Sequence, residues 1–149
     1  MDDALVVPLG EVLLRLGIAT ALGGALGLNR ELNQKPAGLR TLALVGLASA
    51  AATAGISMLP HATPDAMSRV GQGILTGVGF LGGGVILQRR DTERVTGLTT
   101  AASIWVVAAL GFTCGIGQWR LGIMAALIAL GVLVVGSFLE KRYLDDYED

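Results

Sequence analysis

The stretch from Gly71 to Gly84 limits the possible folds more than any other part of the chain, because half of its residues are glycine and none is charged. Glycine weakens an isolated helix in water. In a bilayer the backbone must bond to itself, so helix is retained, and small residues let neighbouring helices approach closely. The pairs Gly73/Gly77 and Gly79/Gly83 are each four residues apart, which puts each pair on one helical face. We therefore predict a membrane helix in which these four glycines form close helix contacts.

The segment from Gly77 to Gly82 also fits the Gly-x-Gly-x-x-Gly pattern of dinucleotide-binding proteins. That site needs a strand before the pattern and an acidic residue about 20 positions after it. The preceding residues here are rich in glycine, and the position 20 beyond Gly82 is Ala102. Helix packing is the favoured interpretation, and no cofactor is expected.

The chain is too apolar for a soluble domain, since 52% of its 149 residues are hydrophobic and 15% are charged. The first apolar segment, of about 20 residues, is long enough to cross about 30 Å of hydrocarbon, and four further apolar segments follow it. We predict an all-α membrane protein with five transmembrane helices, a membrane domain at 1–142 and an acidic C-terminal tail at 143–149. The predicted spans are about Leu9–Leu28, Leu42–Leu59, Val70–Leu87, Leu98–Cys114 and Leu121–Leu139.

Basic residues are distributed unequally between the two sides of this arrangement. Eight Lys and Arg lie in the first and third connectors and after the last span, whereas the other two connectors hold one each. The positive-inside rule then puts the N-terminus outside and the C-terminus in the cytoplasm. The expected partners are the lipid bilayer, further copies of the chain and another membrane protein, with no nucleic acid.

An internal repeat emerges when the sequence is compared with itself at an offset of 59 residues. Arg30 then aligns with Arg89, and Thr41 aligns with Thr100. Because this offset covers two spans, the two helix hairpins would have the same orientation about an axis normal to the membrane. We predict two parallel-repeat hairpins, with the fifth helix outside the repeat.

Two polar connectors each end in Gly-Leu-x-Thr as the next helix begins. Threonine is a common helix cap, and the positive end of a helix attracts anions. We therefore expect a cytoplasmic surface for an anionic lipid or another phosphate-bearing ligand. Its residues are Arg30, Glu31, Lys35, Gly38, Arg40, Thr41, Arg89, Arg94, Gly97, Thr99 and Thr100.

Glu11 and Arg15 lie four residues apart in the first span, in the order that favours a helical ion pair. Alone, each would cost about 2.5–3.5 kcal/mol at the membrane centre. The pair either lies near the outer membrane interface or faces a polar interior on a solute or proton path. Polar residues also repeat every four positions, at Ser49, Thr53 and Ser57 in the second span and at Gln72 and Thr76 in the third. They would either hydrogen-bond to a neighbouring helix or line a narrow wet seam.

Catalytic and metal-binding patterns do not emerge from the sequence. The single histidine, His61, lies in an outside connector without a neighbouring cluster of cysteines or carboxylates. Magnesium prefers six oxygen ligands, usually with one or two carboxylates, and Glu11 is the only acidic residue within a predicted span. We expect neither an enzyme nor a metal site within one chain.

Four segments are together characteristic of a known family: Glu11 with Arg15, Lys-Pro-Ala-Gly-Leu-Arg-Thr at 35–41, Gly-Phe-Leu-Gly-Gly-Gly-Val-Ile at 79–86 and Val-Thr-Gly-Leu-Thr-Thr-Ala-Ala at 95–102. On these residues the chain resembles the MgtC/SapB family of bacterial inner-membrane proteins. It departs from the family at Asn29, where an acidic residue is usual, and at Leu42, where histidine is usual.

The resemblance implies a role in magnesium limitation, acid tolerance or survival inside host cells. That role would be exerted by a non-enzymatic regulator that modulates another membrane protein. The alternative is an oligomeric transporter or channel for an ion or small solute, linked to magnesium or protons. Many members of the family also carry a soluble domain after the fifth helix, and this chain is expected to represent the membrane domain alone.

Overall fold

The computed structural model describes residues 7–87 and 96–144, and every regular element in these two ranges is an α-helix. The all-α prediction with five helices is confirmed. Four helices, α1, α2, α4 and α5, are long and apolar enough to cross a membrane. The five helices are α1 (Leu9–Leu32), α2 (Leu39–Ser57), α3 (Pro64–Leu87), α4 (Leu98–Gly115) and α5 (Trp119–Leu144).

The remaining helix, α3, has to cross as well, because α2 and α4 begin at the same end of the bundle. Near the end of α1, Gly27 packs on Leu39 at the start of α2, and Arg30 donates a hydrogen bond to Thr100 near the start of α4. Since α2 finishes at the opposite end, α3 returns the chain, and its 24 residues measure about 36 Å. We call the end where α2 and α4 begin the Arg30 end, and the opposite end the Arg15 end.

The start of α3 is the largest difference from the predicted spans. The helix begins at Pro64, six residues before the predicted start at Val70. The Thr63 hydroxyl accepts a hydrogen bond from the Ala66 N–H at 3.2 Å, and proline suits the first helical position because it has no N–H to satisfy. Hydropathy did not reveal these first residues of α3 because they include the charged Asp65 and Arg69.

Helix α4 lies at the centre of the bundle and contacts all four of the other helices. Its backbone meets α2 at glycines: a Cβ on Gly111 would lie 2.5 Å from the carbonyl oxygen of Gly46, and one on Gly115 would lie 2.6 Å from that of Ala50. Side chains cannot fit at such separations, so glycine is required. Around this contact the largest fully buried hydrophobic side chains are Leu26, Leu42, Ile104, Val107 and Cys114.

The four glycines that the sequence placed in close packing do not pack within the chain, which corrects that interpretation for intrachain contacts. A Cβ on any of them would meet none of the described atoms within 4 Å. The face of α3 that meets α4 carries Gly71 and Gly82 instead, against Phe112 and Ala101. Contact with another chain stays a prediction for Gly73, Gly77, Gly79 and Gly83.

The repeat is visible in the packing. In the first hairpin Gly23 backs onto Leu42, and in the second the residues 59 positions further on, Gly82 and Ala101, make the equivalent contact. Helix α1 contacts α2 and α4, and α3 contacts α4 and α2. Within the described residues, α5 contacts α4 and α1 but neither α2 nor α3. The prediction of two parallel-repeat hairpins plus a fifth helix is confirmed.

Candidate functional site: two arginines at the ends of α4

At the Arg15 end, an arginine of α1 is tied to the C-terminus of α4. The Arg15 Nε donates to Glu11 Oε1 at 2.9 Å, and its Nη1 donates to the carbonyl oxygen of Gly115 at 3.1 Å. The side chains of Arg15 and Glu11 are 15% and 33% exposed. A cation beside the partial negative charge of a helix C-terminus is favourable, so the pair is stabilised on both sides.

The backbone that follows α4 leaves space for the Arg15 side chain and leaves the Gly115 carbonyl free to accept its hydrogen bond. Gly117 has a positive φ of 88°, and its N–H bonds to the Cys114 carbonyl at 2.9 Å, while the Gln118 N–H bonds to the Thr113 carbonyl at 2.9 Å. These two bonds satisfy inner carbonyls of the last turn and leave the Gly115 carbonyl for Arg15. A Cβ on Gly117 would lie 2.9 Å from Arg15 Nη2, so glycine is required at this position by both φ and space.

The polar residues of α2 are also satisfied locally. Thr53 Oγ1 donates to the Ser49 carbonyl at 2.7 Å, and Ser57 Oγ donates to the Ala54 carbonyl at 2.9 Å. The sequence left open whether this row bonds between helices or lines a wet seam. In the structure, the hydroxyls of Thr53 and Ser57 bond to the backbone of their own helix.

At the Arg30 end, a second arginine of α1 lies against the N-terminus of α4. Arg30 is 5% exposed, and its Nη2 donates to the hydroxyl of Thr100, which is also buried. Its Nε is buried and has no hydrogen-bond partner in the part of the chain that the structure describes. The partial positive charge of the α4 N-terminus therefore lies beside a buried cation.

The neighbouring start of α2 is satisfied by a carboxylate. Glu31 Oε2 accepts a hydrogen bond from the Leu39 N–H at 2.9 Å. The N-cap is Gly38, with φ −76°, and a Cβ there would lie 2.8 Å from the same carboxylate oxygen. The last turn of α1 thus supplies a carboxylate to the start of α2, from a residue eight positions upstream.

The start of α4 has a different local conformation despite the same Gly-Leu-x-Thr sequence. Its N-cap Gly97 has φ 93°, in the left-handed region. The first turn contains no acidic residue. Just before the N-cap, the buried hydroxyl of Thr96 has no partner among the described residues. Two buried polar groups at this start, Arg30 Nε and Thr96 Oγ1, therefore lack a partner among the described residues.

The structure divides the predicted cytoplasmic surface. The threonines do not cap their helices, because the N-caps are the glycines and each threonine is the third helical residue. Thr41 is exposed whereas Thr100 is buried, so the two starts are not equivalent. Arg89 and Arg94 lie outside the described residues. Lys35, Arg40 and Thr99 are exposed, Gly38 and Gly97 are partly buried, and Arg30 is the one buried residue among the described basic residues of this surface.

Three contacts at these sites were not predicted from the sequence. The Gly115 carbonyl is 100 residues from Arg15, the Thr100 hydroxyl is 70 residues from Arg30, and Glu31 bonds the backbone rather than a side chain. The offset of 59 residues held one usable signal: the position equivalent to Glu31 is Arg90, so the second connector lacks an acidic residue at the capping position.

A metal centre is not among these sites. In residues 7–87 and 96–144, no three His, Cys, Asp or Glu side chains come together in a group that would hold a metal ion. The chemistry available at both ends of α4 is that of an arginine against helix backbone.

Residues 16–142 match the model of the MgtC family. The chain belongs to the MgtC family. It is 43% identical to "Protein SrpB" of Synechococcus elongatus over 78% of this chain, and 38% identical to "Protein MgtC" of Salmonella paratyphi A over 89%. It is also 42% identical over 91% of its length to "Putative magnesium transporter YhiD" of Escherichia coli (strain K12).

The chain spans 69%, 61% and 65% of the lengths of SrpB, MgtC and YhiD respectively. No solved structure matches it significantly. Family membership and the four apolar helices together identify a multi-pass bacterial membrane protein.

Proposed function

We propose that the protein is a non-enzymatic regulator in the bacterial inner membrane, which acts by contact between its α3 and a helix of another membrane protein. This regulation would help the cell to adapt to magnesium limitation, to acid or to life inside host cells. The observation that supports this proposal most is the outward face of α3. Gln72 and Thr76 are exposed there, next to the open glycines Gly73 and Gly77, and Phe80 is 86% exposed.

Lipid chains make a poor partner for such a face. They cannot hydrogen-bond a glutamine amide or a threonine hydroxyl, whereas a neighbouring helix offers side chains and a close backbone approach at glycine. Helix α5 is also widely exposed, but its exposed residues include the large hydrophobics Leu127, Ile128 and Val132, which suit lipid. The two outer helices therefore differ in what they would accept as a neighbour.

The second candidate is an oligomeric transporter, which the name of YhiD favours. In that case Glu11 and Arg15 would lie on the path. Against this, Arg15 is engaged by Glu11 and by the Gly115 carbonyl, so moving an ion past it would break a favourable arrangement. A regulator would not require the hydrogen bonds of Arg15 to break.

Uptake by purified protein separates the two candidates. We expect liposomes that contain the protein and an internal magnesium-sensitive dye to take up Mg²⁺ no faster than protein-free liposomes. A magnesium ionophore added at the end checks the dye. Uptake that scales with protein content, and that falls in Glu11→Gln, would replace the regulator by the transporter.

The α3 face is tested by complementation of a strain that lacks its own family member and is limited for magnesium. We expect Gly77→Leu and Gly83→Leu to lose complementation at unchanged membrane abundance. Gly136→Leu is the matched control, because that glycine is equally open but lies on α5. If Gly77→Leu and Gly83→Leu complement as well as Gly136→Leu does, the α3 face is not the contact.

A further inference from the structure

We propose that the N-terminus of α4, together with Arg30 and Thr96, binds one phosphate-bearing anion at the Arg30 end. The site goes beyond the regulatory role and does not depend on it, since a regulator and a transporter would both keep it. The phosphate is either a free solute or the headgroup of an anionic lipid. These two sources present the same oxygen atoms to the same donors.

The first argument is electrostatic. Arg30 is buried, carries a positive charge and lies against the positive end of α4, where a helix favours anions and disfavours cations. In the described residues its one hydrogen bond goes to a neutral hydroxyl, Thr100. Buried charges are ordinarily paired. An anion held between the guanidinium and the helix start turns this unfavourable arrangement into a favourable one.

The second argument is the set of unsatisfied donors. A helix start presents N–H groups that have no intrahelical acceptor, which here belong to Leu98, Thr99 and Thr100, because the helical bonds begin with Ala101 donating to the Gly97 carbonyl. The buried Arg30 Nε and Thr96 Oγ1 lack partners as well. Free N–H groups at a helix start bind oxyanions such as phosphate, and a guanidinium matches phosphate geometry.

The third argument is the contrast with α2. Its start is already occupied, since the Glu31 carboxylate accepts from the Leu39 N–H. Arg90 takes the place of that glutamate in the second repeat. The first repeat thus supplies a carboxylate to its helix start. The second repeat has the same Gly-Leu-x-Thr helix start, with arginine at the position of the glutamate.

The binding test uses the full chain in nanodiscs of phosphatidylcholine, with inorganic phosphate as the probe and ionic strength held constant with sodium chloride. We expect phosphate to raise the thermal unfolding midpoint and to give saturable heat in calorimetry. Arg30→Lys keeps the charge but loses the fork of donors, and we expect about tenfold to a hundredfold weaker binding. Binding of equal strength in Arg30→Lys would contradict the site.

Thr96→Val provides a variant that is safe for folding, because replacing an unsatisfied buried hydroxyl by an apolar group of the same shape is neutral or stabilising. We expect phosphate binding to weaken by about threefold to tenfold in this variant, as for the loss of one neutral hydrogen bond. Thr41→Val, at an exposed threonine near the start of α2, is the control and should bind as the parent does. A Thr96→Val protein with undiminished binding would remove the hydroxyl from the site.

The source of the phosphate is decided by a second set of nanodiscs that contains phosphatidylglycerol. If the lipid is the ligand, these nanodiscs raise the unfolding midpoint of the parent but not of Arg30→Lys, and free phosphate adds little. If neither phosphate nor phosphatidylglycerol acts, the proposal is wrong. It is also wrong if phosphate binds only after Asp91→Asn and Glu93→Gln are introduced together, because the chain's own carboxylates would then hold the site.

Discussion

Arg15 and Arg30 lie on the same helix, α1, and each contacts one end of the same helix, α4. Arg15 lies at the C-terminus of α4, where its charge is favourable, and its donors reach a carboxylate and a carbonyl. Arg30 lies at the N-terminus, where its charge is unfavourable, and its Nε is unsatisfied among the described residues. The comparison separates an arginine that is paired within the fold from one that is incompletely paired among the described residues.

The two helix starts at the Arg30 end, those of α2 and α4, also differ in the charged group that each one contacts. Both have glycine as the N-cap and threonine at the third position, so their sequences look equivalent. Glu31 makes the start of α2 electrostatically complete. The start of α4 has no acidic residue in its first turn, and it faces Arg30 instead. The two hairpins therefore have similar helix ends with different chemistry.

The largest expected effect concerns which end faces the cytoplasm. Lys35→Cys lies at the Arg30 end, and His61→Cys lies in the connector at the Arg15 end, both exposed. We expect a membrane-impermeant maleimide to label only His61→Cys in intact cells and to label Lys35→Cys only after the membrane is opened. The native Cys114 is buried and serves as the unlabelled background. The reverse pattern would put the Arg30 end outside.

Loss of Arg15 comes next in size. We expect Arg15→Gln to lower the free energy of unfolding by about 2 kcal/mol, because it removes charged hydrogen bonds and leaves Glu11 without its partner. Unfolding by SDS in mixed micelles measures this change. The control is Arg69→Gln, whose pair with Asp65 is 77% and 71% exposed and which should change stability by less than about 0.5 kcal/mol. If the two variants lose equal free energy of unfolding, the hydrogen bonds of Arg15 stabilise the protein no more than an exposed ion pair does.

Removal of the carboxylate at the start of α2 should have a smaller effect. Glu31→Ala leaves the Leu39 N–H without its acceptor, and the loss of such a cap costs about 1 kcal/mol. Glu140→Ala, at an exposed position of α5, is the control. If the two variants unfold at the same SDS fraction, Glu31 does not stabilise the helix start.

The smallest effect is expected at Arg30, provided that phosphate and anionic lipid are absent. Arg30→Met replaces a buried, incompletely paired cation by an apolar side chain, an exchange that is often neutral or stabilising. We expect a change within about 1 kcal/mol in phosphate-free buffer, and a clear advantage of the parent once phosphate is added. A loss in Arg30→Met as large as that in Arg15→Gln, without phosphate, would make Arg30 a structural residue.

Local patterns predicted the parts of this molecule that are local. Runs of apolar residues predicted the five helices, and the spacing of four predicted the pair of Glu11 and Arg15. The acceptor at Gly115 and the contact of Arg30 with Thr100 depend on how α1 packs on α4, which no spacing encodes. The glycines of α3 were misassigned within the chain for a similar reason, since the spacing of four identifies a face but not its neighbour.

The most direct test of the central claim observes both arginines in one spectrum. With ¹⁵N-labelled arginine in phosphatidylcholine nanodiscs, the Nε–H signals of Arg15 and Arg30 are assigned through Arg15→Lys and Arg30→Lys, and inorganic phosphate is then titrated at constant ionic strength. We expect the Arg30 signal to shift and saturate while the Arg15 signal stays in place. An Arg30 signal that does not move with phosphate or with phosphatidylglycerol, or that moves only together with Arg15, would contradict the account.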